Sequence, residues 1–279
     1  PKRRDAPVPN TQSSKSLAPM FFECLWSATI VLGLCSHKDA EQFCQETPVL
    51  RGNMCGRFTL TSNMDELQAR FDFEARDLVF RPRYNVAPTQ EVVAILGDGD
   101  NPGHNRAELM RWGLIPFWAK DAKIGARMIN ARAEAVAEKP AFRTALRKRR
   151  CLVLADGFYE WKKEENGKTP MYIAAKSRGP FAMAGLFETW KSPEDELIRS
   201  CTIITTSPNT LMEDIHDRMP VILPKDAETI WLDPKLEDQE TLTSLLTAYP
   251  AEEMEAYVVS TLVNTAKNDF PECITEVVL

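Results

Sequence analysis

The chain has 279 residues, 44% hydrophobic and 27% charged, which excludes disordered, collagen-like and multi-span membrane classes and leaves a globular protein able to bury a full core. Its 34 basic and 40 acidic side chains give a net charge of −6, so it cannot grip duplex DNA by bulk charge, and any nucleic-acid site must be local. Seven cysteines, at 24, 35, 44, 55, 151, 201 and 273, lie far apart without a C-x-x-C pair, and three scattered histidines (His37, His104, His216) cannot build a typical zinc site; a reduced compartment, no metal and no cofactor are expected.

Residues 1–53 begin at Pro1, run through a polar Pro/Ser stretch and then carry an apolar segment, Phe21 to Cys35, interrupted by Glu23. That segment falls short of the roughly 20 residues a spanning helix needs, so no membrane partner is expected. No small-residue cleavage site follows it as a signal peptide requires. It is read as an N-terminal extension, either upstream of the true start or disordered, and 54–279 as one domain. From Met54 onward, Asn63 with Glu66 forms a capping-box pattern that opens a helix to Phe71. Strands are expected at Val92–Leu96, Leu109–Ile115, Cys151–Ala155, Met171–Ala175, Phe181–Phe187, Thr202–Thr206, Val221–Leu223 and Tyr257–Val259, and helices at about 138–149, 226–232 and 238–248. Strands joined by short turns without βαβ alternation imply an α+β fold with a mainly antiparallel sheet.

Charge is uneven along this domain. Residues 81–150 carry 14 Lys/Arg against 7 Asp/Glu, whereas 151–279 carry 11 against 23. The cluster Arg147–Arg150 suits either a phosphate-facing surface or the dipole of a helix end. Arg81, Arg83, Arg111, Arg127 and Arg132 are interleaved with aromatics and amides, a pattern that suits stacking on unpaired bases and contact with phosphates.

Cys55 is the first candidate for chemistry. If translation starts at Met54 and the initiator is removed, the mature chain begins Cys55-Gly56-Arg57-Phe58 and presents an α-amine beside a thiol. An α-amine titrates near 7.7–8.0, so a useful fraction is neutral and can attack an aldehyde. The adjacent thiol can then close the Schiff base into a five-membered thiazolidine. Taken alone, Cys55 could equally be a small buried hydrophobe.

The surrounding motifs are Arg83-Tyr84-Asn85-Val86-Ala87-Pro88, Met110-Arg111-Trp112-Gly113-Leu114-Ile115-Pro116, Ile129-Asn130-Ala131-Arg132-Ala133-Glu134, Asp156-Gly157-Phe158-Tyr159-Glu160-Trp161 and Ile215-His216-Asp217-Arg218-Met219-Pro220. With Met54-Cys55-Gly56-Arg57-Phe58 in front, the chain closely resembles the SRAP family, the SOS-response-associated peptidases, in order from Met54 to about Val278. The resemblance implies a single SRAP-like domain on a mainly antiparallel, barrel-like β-sheet with flanking helices. It also implies a protein that recognises abasic sites in single-stranded DNA and becomes covalently joined to them through its N-terminal cysteine. On this basis Cys55 resembles the cross-linking nucleophile, and Asn85 and Asn130 the amides that orient cysteine and sugar. Arg132 resembles a phosphate-binding arginine. Glu160 resembles the glutamate that assists ring opening and proton transfer, with His216 beside it and supporting reversal. The family's "peptidase" refers to self-processing that exposes the cysteine.

Elementary chemistry supports these roles without the resemblance. An abasic sugar is mainly a closed hemiacetal, so a proton must move between ring and hydroxyl oxygens before an aldehyde appears, and a carboxyl near an imidazole can move it. Glu160 lies among Phe158, Tyr159 and Trp161, where desolvation would raise its pKa; the alternative is a rim glutamate pairing with Lys162 or Lys163. His216, flanked by Asp214, Asp217 and Arg218, is otherwise a structural histidine. Asn130 and Arg132, two apart, share a face if extended, while Asn85 also fits simple turn chemistry. Phe117 and Trp118 follow a proline and suit either a base-stacking wedge or a core; Arg57 and Arg83, with Arg111, are further DNA-contact candidates. Asn264 and Asn268 match a polar family segment without an assigned role.

One departure stands out. In the chain as written Cys55 has 54 residues before it and no free α-amine, so thiazolidine chemistry requires a start at Met54 or cleavage before Cys55. The expected partner is single-stranded DNA containing abasic sites, including single-strand/double-strand junctions, bound by a monomer in the cytoplasm at the nucleoid if bacterial or in the nucleus if eukaryotic. Two other readings remain: a cysteine peptidase acting on other proteins through a Cys55 thiolate and His216, and a non-covalent single-stranded DNA or junction-binding module.

Overall fold

The computed structural model describes residues 55–75, 78–99 and 104–277; the expected extension, 1–53, lies outside the described residues, as do Cys24, Cys35 and Cys44. In chain order the elements are β1 (Arg57–Leu60), α1 (Met64–Phe71), β2 (Phe73–Glu74), β3 (Arg83–Val86), β4 (Glu91–Gly97), β5 (Asn105–Trp112), β6 (Asn130–Arg132), α2 (Arg143–Lys148) and β7 (Arg150–Ala155). They continue as β8 (Gly157–Glu164), β9 (Gly167–Ala175), β10 (Phe181–Lys191), β11 (Leu197–Thr206), β12 (Met219–Pro220), β13 (Ile222–Leu223), α3 (Lys225–Leu232), α4 (Gln239–Ser244) and β14 (Met254–Val258).

The fold is α+β, as expected. Strands β11, β10, β7, β4 and β5 pair in that order, and a short parallel pairing of β5 with β11, through Arg111 and Ser200, closes them into a barrel. A second sheet, ordered β14-β9-β8-β1-β3, is antiparallel throughout. The pairings β2–β5, β5–β11 and β6–β11 are the parallel ones among the described residues.

Period-two alternation explains why the barrel strands read as unbroken apolar runs. On β7, Cys151, Val153 and Ala155 face one core with Phe58, Trp112, Phe158 and Ile173, while Leu152 and Leu154 face another with Leu67, Phe71, Leu146, Trp231 and Leu242. A strand buried on both faces needs apolar residues at every position. A third cluster, Tyr159, Tyr172, Ala174, Val259 and Val263, lies beneath the C-terminal segment.

The capping box forms as expected: Asn63 N–H donates to Glu66 Oε2 at 2.8 Å and Glu66 N–H to Asn63 Oδ1 at 3.0 Å, opening α1. Strands β9, β10, β11 and β14 begin or end beyond their expected bounds, and three further expectations shift. The strand expected at Leu109–Ile115 starts earlier and stops at Trp112, because Gly113 turns at φ +126° and lies against Gly125, where a Cβ would come within 2.6 Å of the Gly125 carbonyl oxygen. The helix expected over 138–149 narrows to Arg143–Lys148, since Pro140 cannot sit inside a hydrogen-bonded helix. The one expected over 238–248 narrows to Gln239–Ser244.

The Arg147–Arg150 cluster meets acidic partners and helix-end carbonyls, with Arg147 and Lys148 still exposed. Arg147 and Lys148 meet Glu237, Arg149 meets Glu188, and Arg150 is buried. Arg150 donates to the carbonyls of Leu146, Arg147, Trp231 and Asp233, which closes the C-terminal ends of α2 and α3 with one guanidinium. No helix among the described residues is long and apolar enough to cross a membrane.

Candidate active site

Cys55 lies two residues before the start of β1, whose register with β8 pairs Arg57 with Tyr159. That antiparallel pairing carries Cys55 past the end of the ladder to Glu160. The Cys55 N–H donates to Glu160 Oε1 at 2.5 Å, and the glutamate is only 2% exposed. The Cys55 thiol points to the Arg218 carbonyl, 4.0 Å away. The Asn130 amide, on β6, reaches the Cys55 carbonyl at 3.4 Å; β6 is held there by its parallel pairing with Ile203–Thr205 of β11. His216 closes the opposite side from a turn in which its N–H donates to the Met212 carbonyl, with Nε2 3.9 Å from Glu160 Oε2. The structure thus brings together Cys55, Asn130, Glu160 and His216. Glu160 is not a rim residue paired with lysine.

Burial is the main cause of the site's electrostatics. Desolvation pushes the Glu160 carboxyl above its ordinary range, and nearby His216 and the hydrogen bonds from Cys55 only partly offset this. Desolvation, followed by the Glu160 charge, raises the Cys55 thiol well above its usual value; Arg218 pulls weakly the other way. The thiol is therefore not a preformed thiolate. Cys55 also has φ +38°, a left-handed conformation that an L-residue with a side chain adopts at a cost of about 1–2 kcal/mol.

His216 Nδ1 has two neighbours with opposite demands. The Arg218 N–H donates to it at 3.2 Å, and Asp217 Oδ1, largely exposed, lies 3.0 Å from it. A neutral ring accepting from Arg218 carries its proton on Nε2, toward Glu160; a doubly protonated ring donates to Asp217 instead.

Among the described residues, no hydrogen bond joins the Asn85 side chain to Cys55. Its Oδ1 accepts from Arg57 Nη1 at 2.8 Å, and its Nδ2 donates to the carbonyls of Val263, Thr265 and Asn268 at 3.1, 3.1 and 2.8 Å. Arg57 also donates to Val263 O at 2.8 Å, so the two side chains tie β1 and β3 to the C-terminal segment. Asp269 completes this tie by accepting from the backbone N–H of Tyr84 and Asn85 and from Arg83, which also donates to Gln90. Asn264 accepts from Trp161 Nε1 at 2.7 Å.

The remaining DNA-contact candidates lie on β5 and β6 of the barrel sheet and on the turn that follows β5. Arg132 is exposed at the end of β6, opposite Thr205. Thr205 Oγ1, Arg218 Nε and Arg111 Nε are buried and have no hydrogen-bond partner among the described residues. Phe117 and Trp118 are 64% and 51% exposed, on a turn closed by Ala119 N–H to Pro116 O and anchored by Trp190 Nε1 donating to Ala119 O. They are not core residues.

Sequence reasoning missed Glu134, Thr205 and Arg218 as parts of the site. Arg218 Nη1 and Nη2 donate to Glu134 Oε1 and Oε2 at 2.6 and 2.8 Å, and Nη2 also donates to the Thr205 carbonyl at 2.6 Å. Glu134 and Arg218 stand in the same motifs as Asn130 and His216, the one available signal.

A family model described as SOS response associated peptidase (SRAP) matches residues 54–266. The chain belongs to the SRAP family. Among its SRAP relatives, the abasic site processing protein YoqW of Bacillus subtilis is 54% identical over 224 residues, covering 79% of this chain and 99% of YoqW. The abasic site processing protein HMCES of Xenopus tropicalis is 35% identical over 229 residues, covering 72% of this chain and 68% of that protein. A crystal structure of a Bacteroides thetaiotaomicron protein superposes with a TM-score of 0.73 at 29% identity, covering 80% of this chain and all of that one. The SRAP match begins one residue before Cys55.

Proposed function

We propose that this SRAP protein processes abasic sites in single-stranded DNA by forming a covalent thiazolidine through Cys55 once its α-amine is free. The carrying observation is the Glu160 carboxyl 2.5 Å from the Cys55 nitrogen in a nearly water-free position. A buried carboxyl whose pKa is raised can take a proton from the α-ammonium, freeing the amine, and then deliver it as an acid.

The sequence of steps follows from that proton. Glu160, with His216 beside it, moves a proton from the sugar's anomeric hydroxyl to its ring oxygen, opening the hemiacetal to an aldehyde. The neutral amine adds to the carbonyl carbon, and water leaves as the imine forms. The thiol sulfur then adds to the same carbon while its proton passes to the nitrogen. One water is lost overall, and no oxidant is needed. A thiol held neutral suits this last step and does not suit a thiolate peptidase acting on other proteins.

Exposure of the amine is the prerequisite. The left-handed backbone at Cys55 supports self-processing before it, because cutting the preceding peptide bond removes the constraint on φ. Arg132, with the buried Thr205 hydroxyl and Arg218 Nε, supports a phosphate contact beside Asn130. The exposed Phe117 and Trp118 support stacking on a base or at a junction. The protein is read as a monomer acting where DNA is, at the nucleoid in a bacterium or in the nucleus of a eukaryote.

The test incubates the chain beginning at Cys55 with a strand carrying one abasic site, beside an undamaged strand and Cys55→Ala. A denaturation-resistant adduct only with the abasic strand and intact Cys55 is expected. Its absence with a verified N-terminal cysteine would move attention to non-covalent junction binding or peptide substrates.

A further inference from the structure

The His216 turn and the Asn130 strand belong to different parts of the chain, yet both contribute groups to one cysteine: the Arg218 carbonyl neighbours the Cys55 thiol and the Asn130 amide reaches the Cys55 carbonyl. What joins them directly is the ion pair of Arg218 with Glu134. Glu134 lies in the 3₁₀ turn Ala133–Ala135, which follows β6 and therefore Asn130. Arg218, 9% exposed, follows His216 by two residues. Arg218 Nη1 donates to Glu134 Oε1 and Nη2 to Oε2, and Nη2 also donates to the Thr205 carbonyl on β11. The Arg218 backbone faces the reacting groups on both sides: its carbonyl is the thiol's neighbour and its N–H donates to His216 Nδ1.

We propose that Glu134 is a positioning residue: by clamping the Arg218 guanidinium at two points, it fixes the Arg218 backbone that aims the Cys55 thiol and holds the His216 ring. The inference rests on the proposed cross-linking reaction. A fork-to-fork Arg–carboxylate pair constrains both position and orientation, unlike a single-point contact. The pair is worth little as surface electrostatics, because the Glu134 side chain is 53% exposed. Its consequence is the placement of the largely buried Arg218. Without Glu134, the Thr205 carbonyl is the only remaining partner of the guanidinium among the described residues, and the 216–218 backbone gains freedom to shift. A misplacement of about 1 Å at reacting atoms costs on the order of a hundredfold in rate.

The test uses the chain beginning at Cys55, with single-turnover kinetics on an abasic strand at saturating DNA, plus the equilibrium affinity for an undamaged strand. Amplitude reports the folded, competent fraction; the first-order rate constant reports alignment. For Glu134→Ala the rate constant is expected to fall roughly tenfold or more, with amplitude and affinity for undamaged DNA within about twofold of wild type. Glu134→Gln, which keeps the shape and one acceptor, should recover part of the rate. An unchanged rate constant overturns the proposal, as does a loss confined to amplitude, the mark of a merely structural role. Tighter DNA binding without a slower rate also overturns it, by showing that Glu134 restrains Arg218 from phosphate. If wild type forms no adduct, the cross-linking reading itself fails.

Discussion

Replacing Glu160 with Gln separates what the carboxyl does for chemistry from what it does to the fold. Gln is nearly the same shape, and its Oε1 can still accept from the Cys55 nitrogen, so the 2.5 Å contact survives in form while the proton acceptor is lost. General acid–base groups in such positions contribute about 10²–10⁴ in rate, equivalent to roughly 3–5 kcal/mol of barrier. Cross-linking by Glu160→Gln should slow by that factor. Stability should move the other way. Because burial raises the Glu160 pKa above its ordinary value of 4.5, the folded state binds more protons than the unfolded state between those two values. The wild type therefore loses stability as pH rises through the folded pKa, whereas the Gln variant carries no such term. Thermal melts from about pH 4 to pH 8 should show the two proteins converging at the acid end and Glu160→Gln becoming the more stable as pH rises. A variant that is less stable at neutral pH, or a gap that does not change with pH, would refute the reasoning about burial; an unimpaired rate would refute the proton-transfer role.

Arg150→Ala should lower stability by about 3 kcal/mol, because it strips a charged donor from four carbonyls at two helix ends. In a domain of this size that is a fall in Tm of about 6–12 °C, read by calorimetry, with cross-linking of the folded fraction unchanged. Trp118→Ala should cost about 1–3 kcal/mol of single-strand affinity by titration and leave Tm unaltered, since the ring is 51% exposed. Arg132→Ala should weaken binding regardless of sequence and reduce the slope of log K against log salt by about 1.

The barrel was legible where physics left few choices. Cys151–Ala155 reads as a strand because both its faces are buried, and the Asn63–Glu66 pair marks a helix start by purely local hydrogen bonding. Short strands were not legible. β6 is three residues, Asn-Ala-Arg, and is a strand only because β11 lies beside it. β1 and β3, each four residues, mix polar and apolar side chains and take their form from β8 and from each other. Pro140 pushed the start of α2 to Arg143, later than the apolar periodicity suggested.

The site divides similarly. Cys55 and Glu160 are 105 residues apart, and spacing alone cannot bring them together; the dispersed motifs did so only as a set. Asn85, expected to orient the cysteine and sugar, has its side-chain hydrogen bonds on Arg57 and on the Val263, Thr265 and Asn268 carbonyls, a placement that depends on the C-terminal segment folding back over β3 and that no local pattern announces. Arg218 and Glu134, 84 residues apart, were in view within two motifs but had no local reason to pair.

The most direct test of the central claim is the intact mass of the chain beginning at Cys55 after incubation with an abasic oligonucleotide and no reductant. The proposed reaction gives one product whose mass is the sum of the two partners less one water, absent when the α-amine is acetylated and absent in Cys55→Ala. An adduct that forms with the acetylated chain, or one that appears only after borohydride trapping, would contradict it, since the first would bypass the amine and the second would leave the thiol out of the bond.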